Sequence, residues 1–127
     1  MPLDHTGPAW MFCPADRPER FHKAAAAADV VILDLEDGAG DKPAARAALL
    51  STPLDPGRTV VRINPAGTEE QRLDLEILAQ TAYRTVMLPK CEAAEQVTAL
   101  APRDVVLLVE TPLGALKVAE TAAAANA

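Results

Sequence analysis

Five apolar runs, each broken at its end by a charged or polar residue, constrain what this chain folds into more than any other feature. Val30-Val31-Ile32-Leu33 runs into Asp34-Leu35-Glu36-Asp37, and Thr59-Val60-Val61 into Arg62-Ile63-Asn64. Thr85-Val86-Met87-Leu88 runs into Pro89-Lys90, and Val105-Val106-Leu107-Leu108-Val109 into Glu110-Thr111. The shorter Trp10-Met11-Phe12 ends at Cys13-Pro14. Strands covered on both faces read as unbroken apolar runs. Parallel α/β proteins gather their chemistry at the carboxyl ends of such strands.

Amphipathic helices are expected between the runs. Asp16-Arg17-Pro18-Glu19 reads as a capping box, followed by Phe21, Ala24, Ala25 and Ala28 on one helical face. Pro43 stands where a first turn accepts proline, ahead of Ala44-Ala45-Arg46-Ala47-Ala48-Leu49. Thr68 and Gln71 form a second capping box, with Leu73, Ile77 and Leu78 as the buried stripe. Ala93, Val97 and Leu100 repeat the pattern, and Pro53, Asp55-Pro56-Gly57 and Ala101-Pro102-Arg103-Asp104 return the chain to the next strand.

The resulting β-α alternation, with short connections, predicts an α/β fold of parallel strands wrapped by helices. An open doubly wound sheet would place a glycine-rich turn after its first strand, and Cys13-Pro14-Ala15-Asp16 contains no glycine. A (β/α)8 TIM barrel is therefore preferred, although a barrel takes eight units and about 250 residues. With roughly five units in 127 residues, the chain is expected to be a single domain, 1–127, forming the N-terminal portion of a barrel in a longer protein. An incomplete barrel has an unpaired edge and uncovered apolar faces, which predicts a homo-oligomer rather than a monomer.

Half of the residues are apolar, which is enough to bury a core, and the net charge of −6 comes without a basic run. Nucleic acid is therefore not an expected partner. No apolar run approaches the roughly 20 residues of a membrane span. The N-terminus, Met1-Pro2-Leu3-Asp4-His5, lacks the basic and apolar regions of a signal peptide. Cys13 and Cys91 form no C-x-x-C pair and read as buried reduced thiols, so the expected location is cytoplasmic.

Four strand ends carry candidate chemistry. Glu36 and Asp37 are adjacent and point to opposite sides, so one of them faces the barrel mouth. Their alternatives are a helix cap or a salt bridge to Lys42, and an acid or water-mediated metal contact. Arg62 interrupts an apolar run, where arginine is rare unless paired, and its fork matches a carboxylate. An ion pair with Asp34 or Glu36 is one reading, and a substrate-binding arginine the preferred one. Lys90 is suited to a Schiff base only with a depressed pKa, and a salt-bridge role is the more common one for a strand-end lysine. Glu110 ends an apolar strand, where a carboxylate is costly without a partner. Mg2+, which takes oxygen ligands and keeps waters for substrate, is a natural one. His5 and His22 are isolated and assigned no chemistry.

Six segments occur in a telling order: Phe12-Cys13-Pro14-Ala15-Asp16-Arg17-Pro18-Glu19-Arg20-Phe21, Asp34-Leu35-Glu36-Asp37-Gly38, Lys42-Pro43-Ala44-Ala45-Arg46, Arg62-Ile63-Asn64, Leu88-Pro89-Lys90 and Val109-Glu110-Thr111. Through them the chain resembles the citrate lyase β-subunit family, especially its stand-alone members, which group with malyl-CoA and citramalyl-CoA lyases. The resemblance implies a Mg2+-dependent barrel that makes or breaks a carbon–carbon bond beside a CoA thioester of malyl, citramalyl or citryl type. It implies that Arg62 contacts the carboxylate or oxo group of the acid and supports enolate charge, and that Glu110 binds Mg2+. Glu36 and Asp37 complete the expected catalytic set. A second metal ligand, an aspartate about one β/α unit further on, has no counterpart in this chain, and the loop Gly38-Ala39-Gly40-Asp41 is short for the family. Two other readings are a pyruvate-releasing, metal-dependent aldolase on a similar barrel and a non-catalytic fragment.

Overall fold

The computed structural model describes Leu3 and residues 7–127. His5 and the rest of the N-terminal reading lie outside the described residues, Leu3 excepted. Strands β1 (Trp10–Pro14), β2 (Val30–Asp34), β3 (Thr59–Arg62), β4 (Thr85–Leu88) and β5 (Asp104–Leu107) form one sheet in the order β1-β2-β3-β4-β5. Every pairing is parallel. A doubly wound sheet reverses its strand order at a switch point. This sheet does not, so it is wound in one direction, as a barrel wall is. The connections carry α1 (Phe21–Ala27), α2 (Lys42–Ser51), α3 (Glu69–Leu78), α4 (Ala94–Thr98), α5 (Pro112–Leu116) and α6 (Val118–Ala125).

The apolar runs become strands because both of their faces are covered. All five residues of β2 are buried. Alternate residues split between two clusters, as strand geometry requires. Val31, Leu33, Val61, Val86 and Leu88 pack under the helices with Phe21, Leu49 and Leu78. Val30, Ile32, Val60 and Met87 form a smaller cluster on the inner face, joined by Leu3, Val106 and Leu108. Asp34 and Arg62 continue that inner row toward the carboxyl end, facing each other in register across β2 and β3. The outer strands are less covered. Trp10, Met11 and Phe12 on β1 are exposed, and so are Val109, Leu113, Leu116 and Val118 beyond β5.

Local signals were met unevenly. Pro43 does sit in the first turn of α2, whose N-cap is Asp41, accepting from Ala44 N at 3.0 Å. Thr68 caps α3 through Gln71 N at 3.1 Å, but the Gln71 amide reaches Asn64 O at 3.2 Å, so the second capping box is only half formed. The first one does not form. Asp16 accepts instead from Gly40 N (3.0 Å) and Asp41 N (3.1 Å), and a 3-10 turn over Pro18–Arg20 precedes α1. Two backbone donors across the loop satisfy that carboxylate better than one glutamate turn would, and they hold its pKa below the usual carboxylate value.

The stripe of α3 also differs from expectation. Leu73 is only half-buried, while Asp74 and Leu78 are fully covered. Asp74 accepts from Arg46 Nε of α2 (2.9 Å), Asn64 N (2.7 Å) and Asn64 Nδ2 (2.8 Å). Arg46 also pairs with Glu70. A carboxylate inside a core is stable only with such a complete set of donors. The network joins α2, α3 and the turn after β3. Asp74→Ala would leave Arg46 with one carboxylate and Asn64 with an unpaired N–H. We expect a loss of about 3–5 kcal/mol in urea unfolding, the cost of breaking a buried pair from one side. Glu70→Ala removes a carboxylate that is 44% exposed, and should cost under about 1 kcal/mol. Equal midpoints for the two variants would contradict this division.

Candidate functional site

The strand ends converge because consecutive β/α units bring every carboxyl end to one rim. At its centre is Asp34, 3% exposed. Its Oδ1 accepts from Arg62 Nε (2.9 Å) and Glu36 N (2.9 Å), and its Oδ2 from Arg62 Nη2 (2.6 Å) and Gly38 N (2.8 Å). One carboxylate thus orients the arginine and folds the following turn. Gly38 is required there, since a Cβ at this position would overlap Asp34 Oδ2.

Arg62 makes the ion pair with Asp34, the alternative reading for it, and it does so at the rim. Its side chain is 14% exposed. Phe12 lies against the guanidinium, 4.7 Å from ring centroid to Cζ, a cation–π contact. Of the five N–H donors of a guanidinium, the Asp34 fork takes two. The Nη1 edge remains, 3.4 Å from Glu36 Oε1. Hydrogen bonding to Asp34 raises the arginine pKa further, so the cation is fixed in charge as well as direction.

Glu36 and Asp37 separate as adjacent residues should. Glu36 is 3% exposed and its Oε2 pairs with Lys90 Nζ. Among the described residues its Oε1 has no hydrogen-bond partner. Asp37 points outward with its Oδ2 3.9 Å from Lys90 Nζ, and its side chain is 77% exposed. The proposed salt bridge from Lys42 to this pair does not form. Lys42 Nζ donates to the backbone carbonyls Leu35 O (2.8 Å) and Glu36 O (2.9 Å) instead. Asn64 Nδ2 adds a third donor, to Leu35 O at 3.0 Å. The turn presenting Glu36 is held from two sides, because carbonyls leaving a strand end need donors that the sheet no longer supplies.

Glu110 lies at the same rim but is not buried. The β5 strand stops at Leu107, and Glu110 sits just before α5, whose cap is Thr111. Its Oε1 accepts from the backbone N of Lys90 at 2.9 Å, leaving Oε2 without a partner among the described residues. The desolvation argument for a cation at Glu110 is thus corrected, since solvent reaches the carboxylate. Cys13 and Cys91 are free and buried, and burial raises both thiol pKa values. Neither thiol is poised as a nucleophile.

The donors fit a hard divalent cation in part. Among the described residues no group of three or more His, Cys, Asp or Glu is arranged to hold a metal. Mg2+, however, takes one or two carboxylates and fills its octahedron with water and substrate oxygens. Glu110 Oε2 suits that role. Sequence reasoning missed Asp34 as the organiser of the site, while the salt-bridge role read for Lys90 is met through Glu36. Asp34 was named only as one possible partner of Arg62, although the register of two parallel runs contains the pairing.

Lys90 has its pKa raised, chiefly by the hydrogen bond to Glu36. A group whose folded pKa lies above its unfolded value of about 10.4 stabilises the fold below that pH, and the contribution disappears as pH rises through the folded value. The lysine side of the Glu36–Lys90 pair should accordingly stay charged at neutral pH, and its contribution should be lost only as pH rises through the raised lysine value. Borohydride with a small 2-oxo acid should leave Lys90 unreduced at neutral pH, as read by mass spectrometry of its peptide. A trapped adduct there would mean a neutral amine and a different site.

With this geometry in view, comparison with known proteins is specific. Residues 9–126 match the HpcH/HpaI aldolase/citrate lyase family. A citrate lyase subunit beta-like protein of Mycobacterium tuberculosis is 70% identical over 126 residues, 98% of this chain and 46% of that protein. A (3S)-malyl-CoA thioesterase of Cereibacter sphaeroides is 38% identical over 125 residues, 89% of this chain and 44% of that protein. The crystal structure of protein CitE from M. tuberculosis in complex with magnesium, acetoacetate and coenzyme A superposes with a TM-score of 0.93 at 70% identity. That match covers 94% of this chain and 46% of the other. The chain spans about half the length of the curated relatives it matches. The one-directional parallel sheet is thus part of a TIM-barrel-like fold, and the chain belongs to the HpcH/HpaI aldolase/citrate lyase family.

Proposed function

We propose that this chain carries the substrate-orienting rim of a Mg2+-dependent carbon–carbon lyase acting on a CoA thioester of malyl, citramalyl or citryl type. The observation that carries the reading is Arg62. Its Nε and Nη2 are locked on buried Asp34, and its Nη1 edge stands 3.4 Å from Glu36 Oε1 at the rim where Glu110 also lies. The magnesium, acetoacetate and coenzyme A bound by the similar M. tuberculosis protein support the choice of metal and substrate class. The domain is read as the N-terminal part of a barrel, and the exposed apolar side chains of β1 and of the segment beyond β5 are read as favouring assembly with further copies. Two free, buried cysteines suit a reducing, cytoplasmic setting.

Retro-aldol cleavage of a 3-hydroxyacyl thioester breaks the bond between the carbinol carbon and the carbon next to the thioester carbonyl. The hydroxyl loses a proton and becomes the carbonyl of the released acid. The bond's electron pair moves onto the thioester fragment as an enolate, which takes up a proton. Mg2+, when bound, supplies Lewis acidity and a template for oxygen ligands. Glu110 would hold it through the free Oε2. Arg62 donates from its Nη1 edge to the carboxylate or oxygen that gains charge, already oriented and needing no reorganisation. Glu36 and Lys90 set the charge around that edge, and the CoA tail supplies binding energy remote from the reacting bond.

In a polypeptide that completes the barrel, malyl-CoA with Mg2+ should give acetyl-CoA and glyoxylate, and chelation should stop the reaction. Arg62→Ala should lower turnover by about 10²-fold or more, the loss seen when an oxyanion donor is removed. Glu110→Gln should raise the Mg2+ requirement while leaving the fold intact. Release of CoA and malate instead would favour thioester hydrolysis, the activity for which the Cereibacter relative is named. Unchanged turnover in both variants would end the proposal.

A further inference from the structure

Consecutive N–H groups of an extended strand point to opposite edges, because hydrogen bonding alternates along the chain. Just beyond β4 this rule is broken. Lys90 N donates to Glu110 Oε1 (2.9 Å), and the next amide, Cys91 N, donates to Leu108 O (3.3 Å). Both acceptors belong to the segment that forms and follows β5. The break is made at Lys90, whose φ is +51°, the only positive value at a non-glycine residue among the described residues. A side chain with a Cβ is disfavoured in that left-handed region. Such a conformation persists only where its surroundings over-determine it, and it collects at functional sites.

Here the surroundings are identifiable. The Lys90 ammonium pairs with buried Glu36 and stands 3.9 Å from Asp37. Cys91, immediately after, is buried, and Leu108 N closes the ladder on Leu88 O at 3.0 Å. One residue thus crosses the mouth, with its side chain tied to the end of β2 and its amide to the carboxylate beyond β5. We infer that Lys90 is the positioning residue of Glu110. Its left-handed backbone aims the N–H that fixes Oε1, and the Glu36–ammonium pair holds that backbone in place. The inference rests on the proposed function in one respect, that the free Oε2 is the oxygen offered to the cation.

The test separates backbone from charge with Lys90→Gly, Lys90→Ala and Lys90→Arg. Glycine adopts the left-handed conformation without a tether, alanine loses the tether but keeps the Cβ, and arginine keeps the cation. Two readouts are taken on the protein: hydrogen exchange at amide 90, and paramagnetic broadening by Mn2+ as a probe of the carboxylate. Amide 90 should stay protected in the wild type, Lys90→Gly and Lys90→Arg. In Lys90→Ala it should lose about tenfold in protection, the worth of a hydrogen bond to a charged acceptor. Mn2+ affinity should follow the same order. Glu110→Ala, which leaves residue 90 untouched, should strip the same protection from amide 90. Equal losses in Lys90→Gly and Lys90→Ala would overturn the inference in favour of charge alone, and unchanged protection in Lys90→Ala would overturn it outright. If Mn2+ fails to bind the wild type while the exchange pattern holds, the cation reading fails and the positioning role stands.

Discussion

The site depends on one buried ion pair. Asp34 and Arg62 lie opposite each other on adjacent parallel strands, on the inner face, above the small cluster of Val30, Ile32, Val60 and Met87. Either charge alone in that position would be strongly destabilising, because removing one partner leaves the other desolvated and uncompensated. Together they satisfy one another in a bidentate fork. The remaining acceptor capacity of Asp34 is used on Glu36 N and Gly38 N, so the turn leaving β2 is built on the same carboxylate. The arginine's free edge, the placement of Glu36 and the need for glycine at 38 all follow from this pair.

From there the rim is assembled by alternating charges across the sheet. Arg62 of β3 approaches Glu36 beyond β2, Glu36 holds Lys90 beyond β4, and the Lys90 amide holds Glu110 beyond β5. A second layer keeps the backbone beneath these groups in place. Lys42 and Asn64 both bond Leu35 O, and Asp74 fixes Asn64 from inside the helical layer. The buried Arg46–Asp74 pair thus reaches the rim through two intermediates, without contributing a group to the mouth. Around Asp74 and Asn64 the donors and acceptors are matched, which is what makes a polar network tolerable in a core.

Much of the architecture was visible in the chain because burial on both faces leaves a plain mark on a strand. The five runs, their parallel order and the gathering of Glu36, Arg62, Lys90 and Glu110 at one rim needed only periodicity and the rules of β/α connection. What escaped depended on partners distant in sequence. Asp16 looked like a cap for its own helix but serves the loop at Gly40 and Asp41. Asp74 occupied the apolar face of α3, where a stripe read from hydrophobicity passes over an aspartate and selects Leu73. Lys42 looked like a partner for a carboxylate, yet two strand-end carbonyls without sheet partners claimed it. Each of these partners includes a backbone group, which carries no sequence signal, and for Asp74 the side chains of Arg46 and Asn64 join it from other elements.

The electrostatic composition of the mouth narrows what can enter it. Asp34, Glu36, Asp37 and Glu110 bring four formal negative charges, and Arg62 and Lys90 two positive ones. Asp34 is consumed by its arginine and Glu36 by its lysine, which leaves Asp37 and Glu110 in excess on the more exposed side. An anionic acid approaching the Arg62 edge meets that excess as repulsion, at separations where solvent screening is incomplete. One hard divalent cation would carry the compensating charge, and Glu110, exposed and with Oε2 free among the described residues, is the carboxylate that would hold it. If the proposed function holds, this charge balance favours ordered filling, cation before acid. On the proposed reading, the free N–H donors of Arg62 would then be available for charge that develops on a substrate oxygen, already oriented by the buried carboxylate behind them.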